Sequence, residues 1–177
     1  MKDIWLSSYP AGVVHEIDVD SYPTLVEMCA QAWALFPYNK AFGNFSSYLS
    51  FAGGDRLSSA FAAYLQQHTN LQPGDKVAIM MPNLLQYPVA LFGILRAGLV
   101  VVNTNPQYTP LELRHQLVDS GAKCIVVFKN VLKTVHEVAP ATALETVVTT
   151  ELGDLFSFPK SMIFSRIARR GQKTFSA

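Results

Sequence analysis

The stretch YPVALFGILRAGLVVVN, residues 87–103, is almost wholly apolar and decides the fold of this chain. A membrane-spanning helix needs about 20 mostly apolar residues. This stretch has 17 and carries the charged side chain of Arg96 near its middle. Gly98 divides it, because leucines and aromatic residues that suit a helix precede the glycine and the β-branched run LVVV (99–102) follows it. We therefore predict a buried helix, a glycine stop and a buried strand, and no membrane span.

The sequence alone does not determine the residue at which this helix begins. If the helix began at Asn83, Pro88 would lie one turn inside it and would kink it, because proline lacks the N–H group and clashes with the preceding turn. A start near Gln86 avoids the kink.

Apolar runs of strand type recur along the chain, and helical patterns separate them. The clearest helix is TPLELRHQLVDSG (109–121), in which Thr109 is the N-cap, Glu112 completes a capping box and Gly121 is the stop. Strands that are apolar on both faces and alternate with helices belong to parallel sheets covered by helices. We therefore predict an α/β fold, with a mostly parallel sheet and helices on both faces. The predicted strands are 76–80, 99–102, 123–128 and 145–150.

Further helices are predicted outside this central pattern. Thr24 and Glu27 have capping-box spacing at the start of one helix, and residues 131–139 form a shorter helix. In a helix over 55–68, one apolar stripe is expected to comprise Leu57, Phe61, Tyr64 and Leu65. We place a boundary near GDLFSFPKS (153–161), which separates an α/β subdomain (1–152) from a basic amphipathic linker or helix (153–177).

The charge of the chain is low and unevenly distributed. Only 15% of the residues are charged, against about 25% in an average soluble domain, which indicates either a large buried sheet or a surface that meets more protein. The net charge is +1, and Lys160, Arg166, Arg169, Arg170 and Lys173 stand in a tail of residues 160–177 that has no acid. Because no basic field covers the main body, we expect no binding of nucleic acid.

No residue can be assigned a catalytic, cofactor-binding or metal-binding role from the sequence. Cys29 and Cys124 have no second cysteine or histidine at metal-ligand spacing, and we interpret both as buried reduced thiols of a cytoplasmic protein. The start of the chain shows no signal peptide. No nucleophile elbow is present. The four histidines have no metal spacing and are expected at the surface or in helix packing: His15, His68, His115 and His136.

The segment KSMIFSRIARRGQK (160–173) is amphipathic when projected as a helix. Its apolar residues fall on one side and its arginines on the other, which is typical of a short helix that lies on anionic lipid. The alternatives are an amphipathic helix packed on its own protein and a simple linker. The candidate membrane-contact residues are Ile163, Phe164, Arg166, Ile167, Arg169 and Arg170.

The stretch from Gly74 to Phe128 closely resembles bacterial long-chain fatty-acid–CoA ligases, which are members of the adenylate-forming superfamily. LRAGLVVVNTNP (95–106) resembles the second core motif of that superfamily, and LSFAGGDRLS (49–58) stands where the first core motif falls. Gly53 and Gly54 replace helix-favouring residues in the first motif, which leaves the start of this helix open. Residues 4–28 resemble the amino-terminal lead-in of these ligases, and the resemblance weakens after about residue 150.

The resemblance implies a two-step activity for the complete protein. A fatty-acid carboxylate attacks the α-phosphate of ATP in complex with Mg²⁺ to give an acyl-adenylate and pyrophosphate, and the thiol of coenzyme A then displaces AMP. The phosphate loop of such ligases, a Tyr-Thr-Gly-Gly-Thr-Thr-Gly-like stretch, matches no position of this chain. The chain resembles roughly the first third of such an enzyme, so we expect it to bind no cofactor and to be inactive by itself.

The resemblance implies the remainder of the ligase, the fatty acid and a homodimer mate as partners, and the amphipathic tail adds the inner face of the cell membrane. Two other functions stay open at this level. One is a non-catalytic module that binds lipid or a membrane through residues 158–173, and the other is a truncated paralogue that regulates a complete ligase.

Overall fold

The computed structural model describes residues 4–156 and Ser161. Its α-helices are α1 (Leu25–Leu35), α2 (Phe51–His68), α3 (Gln86–Arg96), α4 (Pro110–Ser120) and α5 (Leu132–Val138). Its strands are β1 (Lys40–Asn44), β2 (Ser47–Ser50), β3 (Lys76–Met80), β4 (Val100–Asn103), β5 (Cys124–Phe128) and β6 (Thr146–Thr150). Short 3₁₀ turns cover Ile4–Ser8, Lys129–Val131 and Ala139–Ala141.

Strands β3 to β6 form one parallel sheet in the order β4-β3-β5-β6, and α-helices pack on both of its faces. Alternate residues of β3 point to opposite sides, as the pleat of a strand requires. Val77 and Ile79 pack with Leu65 of α2 and Ile94 of α3. Ala78 and Met80 pack on the opposite face, in a cluster that also contains Leu113 and Leu117 of α4 and Val135 and Val138 of α5. The predicted α/β fold is confirmed.

The glycine between α3 and β4 has the conformation that a stop requires. Gly98 has φ +77°, a left-handed conformation that costs glycine little, and its amide donates to the carbonyl oxygen of Leu95 at 3.1 Å. Strand β4 begins at Val100, one residue later than predicted. The helix before it begins at Gln86, so Pro88 lies in its first turn, where the proline removes no helical hydrogen bond.

Helix α2 begins earlier than its glycines suggest. Ser50 is the N-cap, and its hydroxyl oxygen accepts the amide hydrogen of Gly53 at 3.1 Å. The predicted stripe was wrong for Tyr64, which is 42% exposed. The buried line instead comprises Gly54, Ser58, Ala62 and Leu65. At Ser58 this line meets α3 closely, since a Cβ atom at Gly93 of α3 would lie 3.1 Å from the Ser58 carbonyl oxygen.

The N-terminal part contains a hairpin that the sequence analysis did not predict. Strands β1 and β2 pair in antiparallel fashion, and Phe45 and Ser46 make the turn with positive φ angles of 47° and 56°. The signal was weak because the turn residues are not the Asn-Gly or Asp-Gly pair that marks such turns. Helix α1 is anchored by buried Trp33, whose ring meets that of Phe92 edge-on at 4.7 Å between centroids.

Candidate functional site at the carboxyl edge of the sheet

The candidate site is the edge of the parallel sheet where the strands end. The connections from the adjacent strands β3 and β5 leave toward opposite faces, since α3 covers one face and α5 the other. A crevice at the carboxyl ends of two such strands is where open α/β sheets bind ligands. Residues 81–85 follow β3 there, and residues 129–131 follow β5.

Gln86 ties the start of α3 to the segment after β6. Its side chain is 8% exposed, and its Nε2 donates to the carbonyl oxygen of Glu151 at 2.7 Å. The carboxylate of Glu151 forms an ion pair with Lys129 at the end of β5. Asp154 accepts hydrogen bonds from the Thr150 hydroxyl at 2.9 Å and from the Glu151 amide at 2.8 Å. These contacts hold the loop after β6 against the crevice.

Asn103 at the end of β4 joins helices on opposite faces of the sheet. The Tyr87 hydroxyl of α3 donates to Asn103 Oδ1 at 2.7 Å. Gln116 of α4 donates through Nε2 to the carbonyl oxygen of Asn103 at 2.9 Å. The next residue, Thr104, donates its amide to the carbonyl oxygen of Ile79 at 3.0 Å, so the chain stays close to β3 after β4 ends. The stretch that resembles the second core motif therefore braces the carboxyl edge.

Two apolar clefts open beside this edge. A cleft of about 190 Å³ lies between α3 and β6, and Phe61, Val89, Val126, Val148 and Leu155 are among its lining residues. It leaves part of the α2–α3 side of β5 and β6 uncovered.

The second cleft, of about 480 Å³, lies between the β1–β2 hairpin and the start of α3. Phe42, Leu84, Leu91 and Phe92 are among the residues that line it. Both clefts suit apolar groups, with few side chains that could orient a charged ligand.

The charged groups of the edge do not fit a nucleoside triphosphate. Lys129 is neutralised by Glu151, and Asp154 is occupied by the loop that it caps. Over residues 4–156, no group of three or more His, Cys, Asp or Glu side chains is placed to hold a metal ion. The described residues of this edge can position apolar groups and neighbouring protein.

The histidines lie at the surface, and the two cysteines lie in α1 and β5. All four histidines are exposed, and His68 ends α2 as expected. Both cysteines are free. Cys124 is buried in β5, where loss of solvent raises its thiol pKa to about 12. Cys29 is only half-buried, so the prediction of a buried thiol is wrong there; burial still raises its pKa.

The residues predicted to contact a membrane are not among those that the structure describes. Ile163, Phe164, Arg166, Ile167, Arg169 and Arg170 lie outside the described residues. Among the described helices, none is both long enough and apolar enough to cross a bilayer.

Comparison with known proteins decides the family. The profile of the AMP-binding enzyme family matches residues 29–172. The chain belongs to the AMP-binding enzyme family.

Curated relatives of this AMP-binding enzyme chain share its sequence over most of its length. It is 50% identical over 169 residues to the long-chain-fatty-acid–CoA ligase of Escherichia coli O6:H1, which covers 96% of this chain and 30% of that protein. The ligase of the same name from Haemophilus influenzae is 45% identical over 173 residues, or 98% of this chain and 31% of that protein. The chain thus spans about 30% of the length of these relatives. The likeness predicted from residues 74–128 is confirmed.

Solved structures show the same fold for this AMP-binding enzyme chain. A putative long-chain-fatty-acid CoA ligase from Rhodopseudomonas palustris superposes with a TM-score of 0.67 and 20% identity, over 77% of this chain and 37% of that one. A long-chain-fatty-acid–CoA ligase from Archaeoglobus fulgidus gives a TM-score of 0.66 with 23% identity, over 78% of this chain and 29% of that one. At these identities the likeness supports the fold alone.

Proposed function

We propose that this chain is the N-terminal portion of a long-chain fatty-acid–CoA ligase, an enzyme that joins a fatty acid to coenzyme A with cleavage of ATP to AMP and pyrophosphate, and that uses Mg²⁺ as its metal ion. The observation that carries the proposal is the 50% identity with the Escherichia coli ligase over 96% of the chain.

The role proposed for these residues is to build and support the site. They supply one parallel sheet, its covering helices and the apolar clefts beside its carboxyl edge. The phosphates of ATP require a donor-rich loop and a metal to balance their charge. At the edge described above, the ammonium group of Lys129 is held in an ion pair with Glu151. We therefore propose that the 177 residues by themselves form no acyl-adenylate and bind neither ATP nor coenzyme A.

The test compares the 177-residue chain with a longer polypeptide. The chain is fused to the remaining residues of the Escherichia coli ligase, and ATP–pyrophosphate exchange is measured with palmitate for the fusion and for the chain alone. Exchange by the fusion only is the expected result. Exchange by the chain alone would refute its inactivity, and a folded fusion without exchange would count against the ligase assignment.

A second experiment measures the mass of the native polypeptide with an antibody raised against this chain. A band about three times the length of the chain supports a complete ligase. A band at 19.5 kDa would instead favour a short protein that binds or regulates.

We propose the cytoplasm as the location, because both cysteines are free thiols, as expected in a reducing compartment. A boundary near residue 152 and peripheral attachment to the inner face of the membrane stay predictions. The attachment rests on the five basic residues of the tail, and co-sedimentation with phosphatidylglycerol vesicles tests it.

A further inference from the structure

Strand β6 is an edge of the parallel sheet, and its outward backbone groups are unpaired within the described residues. The amide of Thr146 donates to the carbonyl oxygen of Lys123 at 3.2 Å, in the direction of β5. Because this direction alternates along a strand, the even-numbered residues of β6 face β5, whereas Val147 and Thr149 face away from it. Among the described strands, β5 is the only neighbour of β6. The N–H and C=O groups of Val147 and Thr149 can therefore pair with another strand.

The opposite edge of the sheet, β4, is partly occupied by the chain itself. The amide of Val100 donates to Asp75 on the side of β3, so the same alternation turns the backbone of Asn103 outward. The Asn103 carbonyl oxygen accepts a hydrogen bond from Gln116 of α4, and Asn103 Oδ1 accepts one from Tyr87 of α3. Side chains from both faces of the sheet thus meet at the end of β4, and β6 has no such cover within the described residues.

Strand β6 also lacks the features that protect a solvent-exposed edge. Native edge strands are usually guarded by a lysine, a proline or a bulge, which discourage pairing with another strand. The sequence of β6, TVVTT (146–150), contains no charged residue and no proline. Its register with β5 is continuous over all five residues. The strand therefore has the composition and regularity of an inner strand of a sheet.

The surface beside β6 is apolar on both sides of the sheet. Val147 packs against the cluster that includes α4 and α5, and Val148 packs against the cluster that includes α2 and α3. The cleft of about 190 Å³ lies next to β6 on the α2–α3 side, where Val148 and Leu155 line it. A strand that pairs with β6 meets apolar side chains on either side, so it must itself be apolar on both faces, as inner strands of parallel sheets are.

We propose that β6 pairs with a further β-strand, apolar on both faces, which is supplied by the part of the ligase outside this chain. The inference rests on the proposed function, which assigns the chain to a ligase. The chain spans about 30% of the length of its relatives, so most of such a polypeptide lies beyond it. The described residues that follow β6 stay beside this edge, since Asp154 and Leu155 line the same cleft as Thr150. Polypeptide joined to the chain there has a high effective concentration at β6, which favours it over a second copy of the chain.

Hydrogen exchange of single amides tests the pairing without any substitution. The 177-residue chain is compared with its fusion to the remaining residues of the Escherichia coli ligase, by mass spectrometry with fragmentation that resolves residues 146–150. The amides of Val147 and Thr149 are expected to exchange quickly in the chain alone and at least about a hundredfold more slowly in the fusion. The amide of Val148 faces β5 and is the internal control, because it should be protected in both proteins.

A proline variant then tests whether the edge itself is responsible. Thr149→Pro removes an outward N–H group and no bond to β5, which an edge strand tolerates. In the fusion it should return the Val147 amide to its rate in the chain alone, while Val148 stays protected. Val101→Pro, at an outward residue of β4, is the matched control and should leave Val147 slow. Circular dichroism verifies that each variant is folded.

Three results would overturn the proposal. Equal rates for Val147 and Thr149 in the chain and the fusion would show that no strand is added. Slowing in the chain alone that grows with protein concentration would show that a second copy covers β6. Slow exchange in the chain alone at every concentration would show that the chain covers its own edge.

The outcome is separable from the fate of the proposed function, because ATP–pyrophosphate exchange is measured on the same fusion. An active fusion without added protection of β6 would refute the strand and leave the ligase assignment intact. Added protection in a folded fusion without activity would support the strand and count against the ligase assignment.

Discussion

Gly93 of α3 packs so closely against Phe61 of α2 that a Cβ atom at position 93 would lie 2.6 Å from Cδ1 of the ring. The same atom would lie 3.1 Å from the carbonyl oxygen of Ser58. The absence of a side chain at Gly93 lets the two helices meet. Their contact covers one side of β3, where Val77 and Ile79 are buried against it.

Gly93→Ala is expected to destabilise the chain by about 1–2 kcal/mol, because overpacking outweighs the gain in helix propensity. Urea unfolding monitored by circular dichroism measures the change. Gly54→Ala is the matched control: a Cβ atom there would have its nearest neighbours at 3.8 Å, so propensity should leave stability unchanged or raise it by up to about 1 kcal/mol. Equal effects of the two substitutions would contradict the close contact.

Gln86 is expected to stabilise the loop after β6. Gln86→Leu removes the donor for the carbonyl oxygen of Glu151, now at 2.7 Å, and should cost about 1 kcal/mol because that partly buried acceptor loses its partner. Hydrogen exchange measured by mass spectrometry should become faster in residues 150–154. Tyr87→Phe, which removes a hydrogen bond on the exposed side of α3, serves as the comparison and should leave that loop protected. Unchanged exchange in Gln86→Leu would refute the role.

Asp75 and Lys123 join the turn before β3 to the residue before β5, with 2.9 Å between Nζ and Oδ1. The amide of Gln72 and then the ammonium of Lys123 lower the pKa of Asp75. A carboxyl whose folded pKa is depressed stabilises the fold above its unfolded pKa, about 3.9, and this stabilisation is lost as the pH falls through the folded pKa. Asp75→Asn should therefore flatten the acid limb of a plot of Tm against pH. An unchanged acid limb would contradict this.

Lys123 should act at the other end of the pH range. Its hydrogen bond to Asp75 raises its pKa, so its contribution is complete below the unfolded value of about 10.4 and is lost as the pH rises through the folded pKa. Lys123→Met should flatten the alkaline limb of the same plot. Lys133→Met is the control, at an exposed lysine of α5 that forms no ion pair with a described residue, and it should leave that limb as it is.

Thr109 caps α4 in the way that the sequence predicts. Its hydroxyl oxygen accepts the amide hydrogen of Glu112 at 3.4 Å, and the Glu112 carboxylate accepts the amide hydrogen of Thr109 at 2.8 Å. Thr109→Ala should lower the free energy of unfolding by about 1 kcal/mol, while Thr109→Ser should keep most of it. Thermal unfolding distinguishes the two. A serine variant as unstable as the alanine variant would show that the cap is not the cause.

Cys29 and Cys124 should differ in thiol reactivity. Burial raises the pKa of Cys124 to about 12, and its side chain is 0% exposed, so almost no reactive thiolate reaches solvent in the folded chain. With an aromatic disulfide reagent at pH 8, Cys29 is expected to react first and Cys124 only with unfolding. Measurement in Cys29→Ala isolates the slow thiol. Rapid reaction of that variant without denaturant would contradict the buried position of β5.

The sequence predicted the features that depend on nearby residues. The cap at Thr109, the stop at Gly98 and the alternation of strands and helices after residue 75 all follow from interactions within a few residues. The β1–β2 hairpin was missed because its turn carries Phe45 and Ser46 in place of residues that favour positive φ. The stripe of α2 was misplaced at Tyr64, because apolarity alone does not show which side a neighbouring helix approaches.

The contacts that form the candidate site could not be predicted from the sequence for a related reason. Gln86 and Glu151 are 65 residues apart, and their contact exists only because β6 lies beside β5 and the chain then returns to the start of α3. The two clefts likewise depend on the order of the strands and on the position of the β1–β2 hairpin.

By itself, the sequence determined the secondary structure of the central region, the parallel sheet and the family likeness, because capping, periodicity and motif residues are properties of short stretches. Three features were decided only by the tertiary structure. The strands lie in the order β4-β3-β5-β6, the side chain of Phe61 packs against Gly93, and the Tyr87 hydroxyl donates a hydrogen bond to Asn103. Those relations arise from packing between segments far apart in the chain, where shape and burial, and not local propensity, select the neighbours.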